Sequence, residues 1–423
     1  MNRRKLLKMV CAGTCGSLIH RGLSPQSSMM AYALDGANGV LGPNSILIIV
    51  NLDGGCSYNI APVYNGAYRD RFPTISYGPE NSLSLNSSQG LHPSLSGLKS
   101  LYDQGDLALY NKVGLGSMPD FGHDTAGSRW KTGRSSASTN PLVEQAVSGW
   151  MARMTAEIGQ QFAGISLAGG DELTRGLGTT PIEMVALGQS LESFNFLQSR
   201  GEAAAAQWYA KALEGSIVSS RPRSSAQAIV ASKIEEVEAV AATLRTQVAT
   251  VTLPNVQFPG SGFGQRCQDA AKIIAASQLG TRVIYLRQGG YDSHANERIV
   301  LPNLLNDLNA GLSALVDCVK ALGRWNDLII VSMSEFGRTF ENNSQGSDHG
   351  WGGVMFLLGG RILGGQRNAP PGAQELTGSY INSIDLDPRQ IYAGIVQAMG
   401  FDVNRIFPDQ FPNYDIASNI FKA

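Results

Sequence analysis

Short apolar segments recur along the chain, and they are the strongest structural signal in the sequence. Segment 45–52 is apolar at consecutive rather than alternate positions, which is typical of a strand buried on both faces of a parallel sheet. Four later segments have a similar character and are also predicted to be strands: residues 107–114, 281–288, 327–334 and 353–360.

Helical periodicity appears between these strands. In segment 91–106, Leu95, Leu98 and Leu101 fall on one helical face. Segment 388–400 opens with Pro388, a residue favoured in the first turn of a helix. Further helices are predicted at 264–279 and 301–322. The alternation of strands and helices predicts an α/β domain with a mostly parallel sheet.

Residues 140–265 differ from the rest because they are rich in Ala, Gln, Ser and Glu. Within them, segment 225–251 carries one apolar stripe at spacings of three and four residues, which predicts a helix. We interpret 140–265 as a helical insertion or cap on an α/β domain that spans 45–423. The alternative is that these are ordinary outer helices of the same domain.

The composition is typical of a large globular protein. With 423 residues, 43% of them hydrophobic and 16% charged, the chain has enough apolar material for one large core. A formal net charge of −1 does not indicate nucleic-acid binding, and no later apolar run predicts a transmembrane segment. Protein partners cannot be inferred. Cys56, Cys267 and Cys318 are too sparse for a disulfide framework, so we expect free thiols, with a Cys267–Cys318 bridge as the alternative.

The N-terminus has the features of an export signal, predicted to span residues 1–33. Arg3-Arg4 lies in a basic start, a short apolar stretch follows, and Ala31-Tyr32-Ala33 is a candidate cleavage site. The paired arginines resemble a twin-arginine signal, which would direct the protein to the periplasm or outside the cell. An ordinary secretory signal is the alternative. Residues 34–44 are predicted to be a linker.

Carboxylates and imidazoles follow three of the predicted strands. Asp53 ends the first strand, Asp292 and His294 follow segment 281–288, and Asp348-His349 follow segment 327–334. Because ligands bind at the carboxyl edge of open α/β sheets, we expect these side chains to converge. The mixture of donors suits a divalent cation, zinc or manganese first and calcium as a further candidate. A single Asp-His pair is more often a turn or a cap.

A hydroxyl nucleophile is expected in segment 123–130, which follows the second strand and is predicted to open a helix. Thr125 is the first candidate, Ser128 the second and Ser57 the third. A hydroxyl at a helix N-terminus lies where backbone N–H groups favour a phosphate or sulfate group. The alternative is that Asp124 or Thr125 is only the N-cap of the helix.

Other residues are candidates for supporting roles. Arg129 is expected to bind an anionic oxygen through paired hydrogen bonds. Arg338 is expected to lie in solvent or to pair with a surface carboxylate. His123 and Glu335 are additional candidate ligands, and Glu335 alternatively orients a ligand. His92 is expected to bond locally.

The segments VNLDGG, LHPSLSGLKSLYDQGDLALYNKVG, GGYDSHAN, SMSEFGRT and SDHGWGG, in that order, closely resemble the DUF1501 family. These are exported bacterial proteins of unknown function, and the resemblance covers nearly the whole mature chain, most weakly at 195–265. The family is similar to the alkaline phosphatase superfamily, which includes sulfatases and phosphodiesterases. The resemblance implies a three-layer α/β sandwich whose mixed, mostly parallel sheet has helices on both faces.

The superfamily pattern implies a role for each motif. Its nucleophile matches Thr125, which would attack phosphorus or sulfur while Arg129 steadies the transition-state oxygens. Its metal-binding positions match one ion on Asp53, Asp348 and His349, and a second ion on Asp292 and His294. The implied function is an exported hydrolase that uses one or two ions on a small anionic ester substrate.

One departure weakens this assignment. The superfamily usually has a further metal-binding histidine after Asp-His-Gly, whereas this chain has no histidine after His349. We therefore expect the site on Asp292 and His294 to be incomplete: it recruits His123 or Glu335, holds one ion only, or is inactive. The rival interpretation is a non-catalytic envelope binding or assembly protein that retains the fold.

Overall fold

The computed structural model describes residues 41–116, 119–134, 148–176, 184–186, 240, 242–407 and 420–422. In chain order, its helices are α1 (Gly66–Arg69), α2 (Ser96–Asp103), α3 (His123–Thr132), α4 (Trp150–Ile158), α5 (Gly262–Ala275), α6 (Glu297–Ala321), α7 (Pro388–Ala398) and α8 (Val403–Ile406). Its strands are β1 (Ile46–Asp53), β2 (Leu83–Ser84), β3 (Gly90–Leu91), β4 (Leu107–Val113), β5 (Gly164–Ser166), β6 (Met184–Ala186), β7 (Val283–Gly289), β8 (Leu328–Met333), β9 (Gly337–Glu341), β10 (Ser347–Gly350), β11 (Gly353–Leu358) and β12 (Gly365–Gln366).

Eight strands form one sheet in the order β12-β4-β11-β8-β1-β7-β5-β6. The central strand β1 pairs in parallel with β7 and β8, with Asp53 opposite Gly289 and Asn51 opposite Met333. The pairs β5–β7, β5–β6 and β12–β4 are also parallel, whereas β11 is antiparallel to β4 and to β8. The expected mixed, mostly parallel sheet is confirmed.

Alternate residues of β1 belong to two separate core clusters, one on each face of the sheet. Ile48 and Val50 pack with apolar residues of α2, α5 and α6. Leu47 and Ile49 pack with residues of α3, α4 and α7 on the opposite face. Residues 46–50 of this strand are all apolar because both faces of the sheet are covered, and the three-layer α/β architecture is confirmed.

The described part of 140–265 contributes to the sheet domain itself. Helix α4 packs in the core, and β5 and β6 extend the sheet beyond β7. Most of the helix predicted at 225–251 lies outside the described residues, as does the export signal predicted at 1–33. Of the predicted linker, the structure describes 41–44, where Leu41 is buried against the core.

Helix α6 is, of the helices described, the one long and apolar enough to cross a bilayer, which the sequence prediction had not anticipated. It packs against α2 and α5, and Leu305 and Leu312 lie fully buried on its inner face. The thiols of Cys56, Cys267 and Cys318 are buried and free, which confirms the first of the two cysteine predictions.

Candidate metal centre

Three adjacent parallel strands, β8, β1 and β7, deliver carboxylates to one edge of the sheet. Asp53 is the last residue of β1, Glu335 follows β8, and Asp292 follows β7. Gly54 permits this approach, because its φ of 119° is rare for other residues and a Cβ atom there would lie 2.3 Å from the Asp292 backbone nitrogen. The segments that follow β1 and β7 therefore come close together, as expected at the carboxyl edge, because the backbone at Gly54 has no side chain to separate them.

Three imidazoles face the Asp292 carboxylate. Nε2 of His294 lies 2.9 Å and Nε2 of His349 lies 3.2 Å from Oδ1 of Asp292. Nε2 of His123, the first residue of α3, lies 3.4 Å from Oδ2. We call these four residues the imidazole cluster. The sequence pattern lacked a third metal-binding histidine, and His123 supplies that imidazole.

The other ring nitrogen of each histidine meets an oxygen that can only accept. Nδ1 of His349 donates to the carbonyl oxygen of Phe121 at 2.7 Å, and Nδ1 of His294 donates to Oδ1 of Asp348 at 2.7 Å. Nδ1 of His123 donates to Oε2 of Glu335 at 2.5 Å. In a neutral ring, these contacts place the proton on Nδ1 and leave a lone pair on Nε2. A ring in this form would direct its Nε2 lone pair at Asp292, whereas a ring protonated on both nitrogens would donate from Nε2 to that carboxylate.

This arrangement fits a divalent cation. The Nε2 atoms of His294 and His349 lie 3.1 Å apart, a distance at which one ring donates to the other if it is protonated on Nε2, or at which one cation could bind both lone pairs. Tetrahedral ligands placed ~2.0 Å from zinc lie ~3.3 Å from one another, close to the 3.2 Å and 3.4 Å that separate Asp292 from His349 and His123. Candidate ligand atoms of His123, Asp292 and His349 all lie within 4.8 Å of one another.

Arg338 anchors Asp292 from the protein side. The side chain is buried, and Nη1 donates to Oδ1 of Asp292 at 2.7 Å and to the carbonyl oxygen of Gly54 at 2.9 Å. Arg338 was expected to lie in solvent or to pair with a surface carboxylate; it does pair with the partly exposed Asp292, but its own side chain is buried because the loop after β8 folds inward over the end of β1. Burial tends to raise the pKa of Asp292, but Arg338, with His294 and His123, holds it below its usual value.

Asp53 and Glu335 form a second acidic group, here called the carboxyl pair. A hydrogen bond joins the two side chains, and Asp53 also accepts from the guanidinium of Arg287. Burial opposes ionisation of Asp53, but Arg287 and the shared hydrogen bond lower its pKa, with Lys131 contributing. Burial and the neighbouring Asp53 raise the pKa of Glu335. Glu335 therefore orients His123, the second of the two roles considered for it.

Asp348 lies behind His294 in this structure. Its Oδ1 accepts from His294 Nδ1 and, at 3.2 Å, from the amide of Asn342. The hydrogen bond from His294 holds the pKa of Asp348 below its usual value. Asp348 thus orients a member of the imidazole cluster, whereas its neighbour His349 is a member itself.

The three candidate nucleophiles have different surroundings. Thr125 is exposed in the first turn of α3 and donates to Oδ1 of Asp120 at 2.6 Å. Ser128 is buried, and Ser57 is buried and donates to Glu297 at 2.7 Å, so neither is open to a substrate. The N-cap of α3 is Gly122, so the interpretation of Asp124 or Thr125 as the cap was wrong.

Thr125 and Arg129 share Asp120 as a partner. Nη1 of Arg129 lies 3.5 Å from Oδ2 of Asp120. The hydrogen-bond partners described for the Thr125 hydroxyl are Asp120 and the carbonyl oxygen of Gly122, so these contacts do not connect it to the imidazole cluster. The residue that α3 brings into the cluster is His123.

Glu297 was missed at the sequence level. It is fully buried at the start of α6 and accepts from Ser57 at 2.7 Å, Asn59 at 2.9 Å and Ser347 at 2.7 Å. These donors belong to the segments that follow Asp53 and precede Asp348. A Glu in the first turn of a helix is common, so the sequence carried no signal that would have distinguished it.

The fold and the histidine-rich carboxyl edge define an α/β sandwich with a candidate metal centre. The chain matches the DUF1501 family, described as proteins of unknown function, over residues 144–411, and it belongs to that family. No curated protein matches the chain in sequence.

Among solved structures, the chain resembles Ps i-CgsB in complex with k-i-k-neocarrahexaose, with 10% identity, a TM-score of 0.41, and coverage of 89% of this chain and 76% of that chain. It also resembles PsFucS1 sulfatase from Pseudoalteromonas sp., with 13% identity, a TM-score of 0.38 and coverage of 86% and 70%. A mutant of TAB5 alkaline phosphatase with bound Mg matches with 10% identity, a TM-score of 0.35 and coverage of 85% and 99%. Likenesses this distant carry no argument about activity.

Proposed function

We propose that this chain is an exported, metal-dependent hydrolase of phosphate or sulfate esters. The observation that carries the proposal is the imidazole cluster, in which three histidines present Nε2 to Asp292 while Nδ1 binds an oxygen acceptor. A fixed ring orientation with a partner behind each ring is the usual arrangement of metal-binding histidines.

His123, Asp292, His294 and His349 would hold the ion. Their nitrogen-rich donor set favours zinc or manganese over calcium, which prefers oxygen ligands. When bound, the ion would supply positive charge to the anionic oxygens of the ester. His123 also answers the objection that the chain lacks a final histidine, which was the main support for a non-catalytic binding or assembly protein.

Thr125 is the proposed nucleophile. Its hydroxyl lies at the amino end of the ten-residue helix α3, where backbone N–H groups and the helix dipole favour an anionic group. Asp120, 2.6 Å away, would accept the hydroxyl proton as Oγ1 bonds to phosphorus or sulfur, and would pass it to the ester oxygen whose bond breaks, so that the alcohol leaves. Arg129, next to Asp120, would bind an ester oxygen. Water then hydrolyses the Thr125 ester and frees phosphate or sulfate.

Metal analysis combined with an ester panel tests this proposal. Purified protein would be loaded with zinc, manganese or calcium and assayed on p-nitrophenyl phosphate, bis-p-nitrophenyl phosphate and p-nitrophenyl sulfate. We expect turnover that T125A abolishes and T125S partly retains. The control T246A removes another exposed threonine hydroxyl, which donates to the Ala242 carbonyl oxygen at 2.9 Å. Absence of both bound ion and turnover would instead support the binding or assembly protein.

Export is a separate part of the proposal, and it rests on the Arg3-Arg4 pair. We expect the native protein in the periplasmic or extracellular fraction, and the double variant R3K/R4K in the cytoplasm. An unchanged distribution would exclude the twin-arginine route.

A further inference from the structure

Asp53 does not have the partners that a shared metal ion would require. The superfamily resemblance implies that Asp53 holds an ion together with Asp348 and His349. In the structure, Asp348 faces His294, and His349 faces Asp292. Asp53 instead contacts Arg287 and Glu335.

We infer that the chain holds one divalent ion, in the imidazole cluster, and that the guanidinium of Arg287 replaces a second ion beside Asp53. This inference rests on the proposed function for the first ion. It extends that proposal by assigning a permanent cation of the chain to the position where the superfamily pattern would place a metal.

Strand register produces the contact between Asp53 and Arg287. Asp53 of β1 lies opposite Gly289 of β7, and Arg287 is two residues before Gly289 on the same strand. Side chains two residues apart on a strand lie on the same face, so the Arg287 side chain is directed to the face that carries Asp53. The pairing is therefore a property of the sheet.

The charges around Asp53 also exclude a second ion. A guanidinium remains protonated at any physiological pH, so Arg287 cannot yield its charge to a metal. Lys131 adds a second positive charge nearby, and its own ammonium is held 3.3 Å from Asp171 and 3.4 Å from Glu172. Among the described residues, the group of three or more candidate ligands does not include Asp53.

If Arg287 takes the place of an ion, its guanidinium can also bind the substrate. The guanidinium has five N–H donors, and its contact with Asp53 is made through one terminal nitrogen, Nη2. Its side chain is 44% exposed, so the remaining donors are open to an oxygen of an anionic ester. Arg287 would then be a substrate-binding residue that sequence reasoning did not identify.

Metal stoichiometry tests the inference without any assay of turnover. Protein saturated with zinc or manganese and then desalted would be measured by elemental analysis. We expect one ion per chain in the wild type, two in R287M, and one in R287K, which keeps the positive charge. The double variant D53N/R287M should return to one ion, because it removes the carboxylate that would bind the second.

The outcomes separate this inference from the proposed function. Two tightly bound ions in the wild type, or a single ion in R287M that folds normally by circular dichroism, would overturn the replacement by Arg287 and leave the hydrolase proposal intact. No bound ion in the wild type would overturn both. If R287M does not fold, the number of ions bound by the wild type remains as the test, and two tightly bound ions would overturn the inference.

Discussion

His92 and the histidines of the imidazole cluster use their ring nitrogens in opposite ways. His92 is 1% exposed, and its Nδ1 accepts a hydrogen bond from the Ser94 backbone N–H at 3.1 Å. In the cluster, Nδ1 donates to an oxygen in every case. His92 therefore carries its proton on Nε2, whereas the Nε2 atoms of the cluster histidines face the Asp292 carboxylate.

The comparison shows that local partners, rather than residue type, decide what a histidine does here. Burial lowers the pKa of His92 to about 4, and the ring packs edge-to-face on Tyr77 at 4.5 Å. It is a neutral packing residue, bonded locally as the sequence predicted. The cluster histidines have acceptors on one side and a carboxylate on the other, an arrangement that fits the cation proposed above.

The largest expected effect is the loss of the ion when Asp292 is changed. D292N keeps an oxygen for Arg338 but removes the negative charge that faces three imidazoles. Because outer partners alone cost 10–100-fold, we expect metal affinity to fall by about 1000-fold, or ~4 kcal/mol. Competition with a chromophoric chelator measures the change.

A matched control for D292N is D327N. Asp327 is 38% exposed against 39% for Asp292, also pairs with an arginine, and lies before β8 at the other edge of the sheet. Its variant should keep wild-type metal affinity. Equal losses in the two variants would show that the effect is not specific to the cluster.

His92 gives the next largest effect, on stability. Its folded pKa lies below the ordinary value of 6.5, so the stability it contributes is complete above pH 6.5 and is lost as pH falls towards 4. We expect the free energy of unfolding to drop by about 3 kcal/mol over that range from this residue. Urea unfolding at several pH values should show a shallower pH dependence in H92Q than in the wild type. Identical slopes would contradict a buried neutral His92.

The next prediction concerns Glu335, the hydrogen-bond partner of the His123 ring. Glu335 is buried and receives His123 Nδ1 at 2.5 Å. E335Q keeps an acceptor oxygen but replaces the carboxyl group with an amide, which polarises the His123 ring less, so the ring becomes a weaker ligand. We expect metal affinity to fall by about 10–100-fold without loss of the fold. If chelator competition shows no change, His123 does not bind the ion through Nε2.

Asp348 should give the smallest of these effects. It also receives a cluster histidine, but its side chain is 57% exposed, where water partly compensates for a lost charge. We therefore expect D348N to weaken metal binding by no more than about tenfold. A loss equal to that of D292N would mean that Asp348 is itself a ligand, as the superfamily resemblance implies.

Much of the fold was predictable because its signals are local. Continuous apolar runs placed β1, β7 and β8, and Pro388 marked the first residue of α7, where Asp387 completes the cap. Because the carboxyl ends of neighbouring parallel strands share an edge, the sequence predicted that the segments after β1, β7 and β8 would meet there.

What the sequence could not predict depends on distant contacts. Whether His123 or Thr125 faces the cluster depends on where α3 begins, and Gly122 provides no side-chain cap that would have shown it. The inward position of Arg338 and the pairing of Arg287 with Asp53 depend on register between segments far apart in the chain. Propensity and spacing contain no information about such pairs.

The reversed direction of β11 has a consequence for how this centre is assembled. In the parallel strands, the segments that follow each strand reach the carboxyl edge. Because β11 runs the other way, the segment that precedes it reaches the same edge, with Gly353 opposite Val113 at the end of β4. The hairpin of β9 and β10 therefore enters the sheet at this edge, and it carries Arg338 and His349 to the place where Asp53 and Asp292 arrive from the parallel strands.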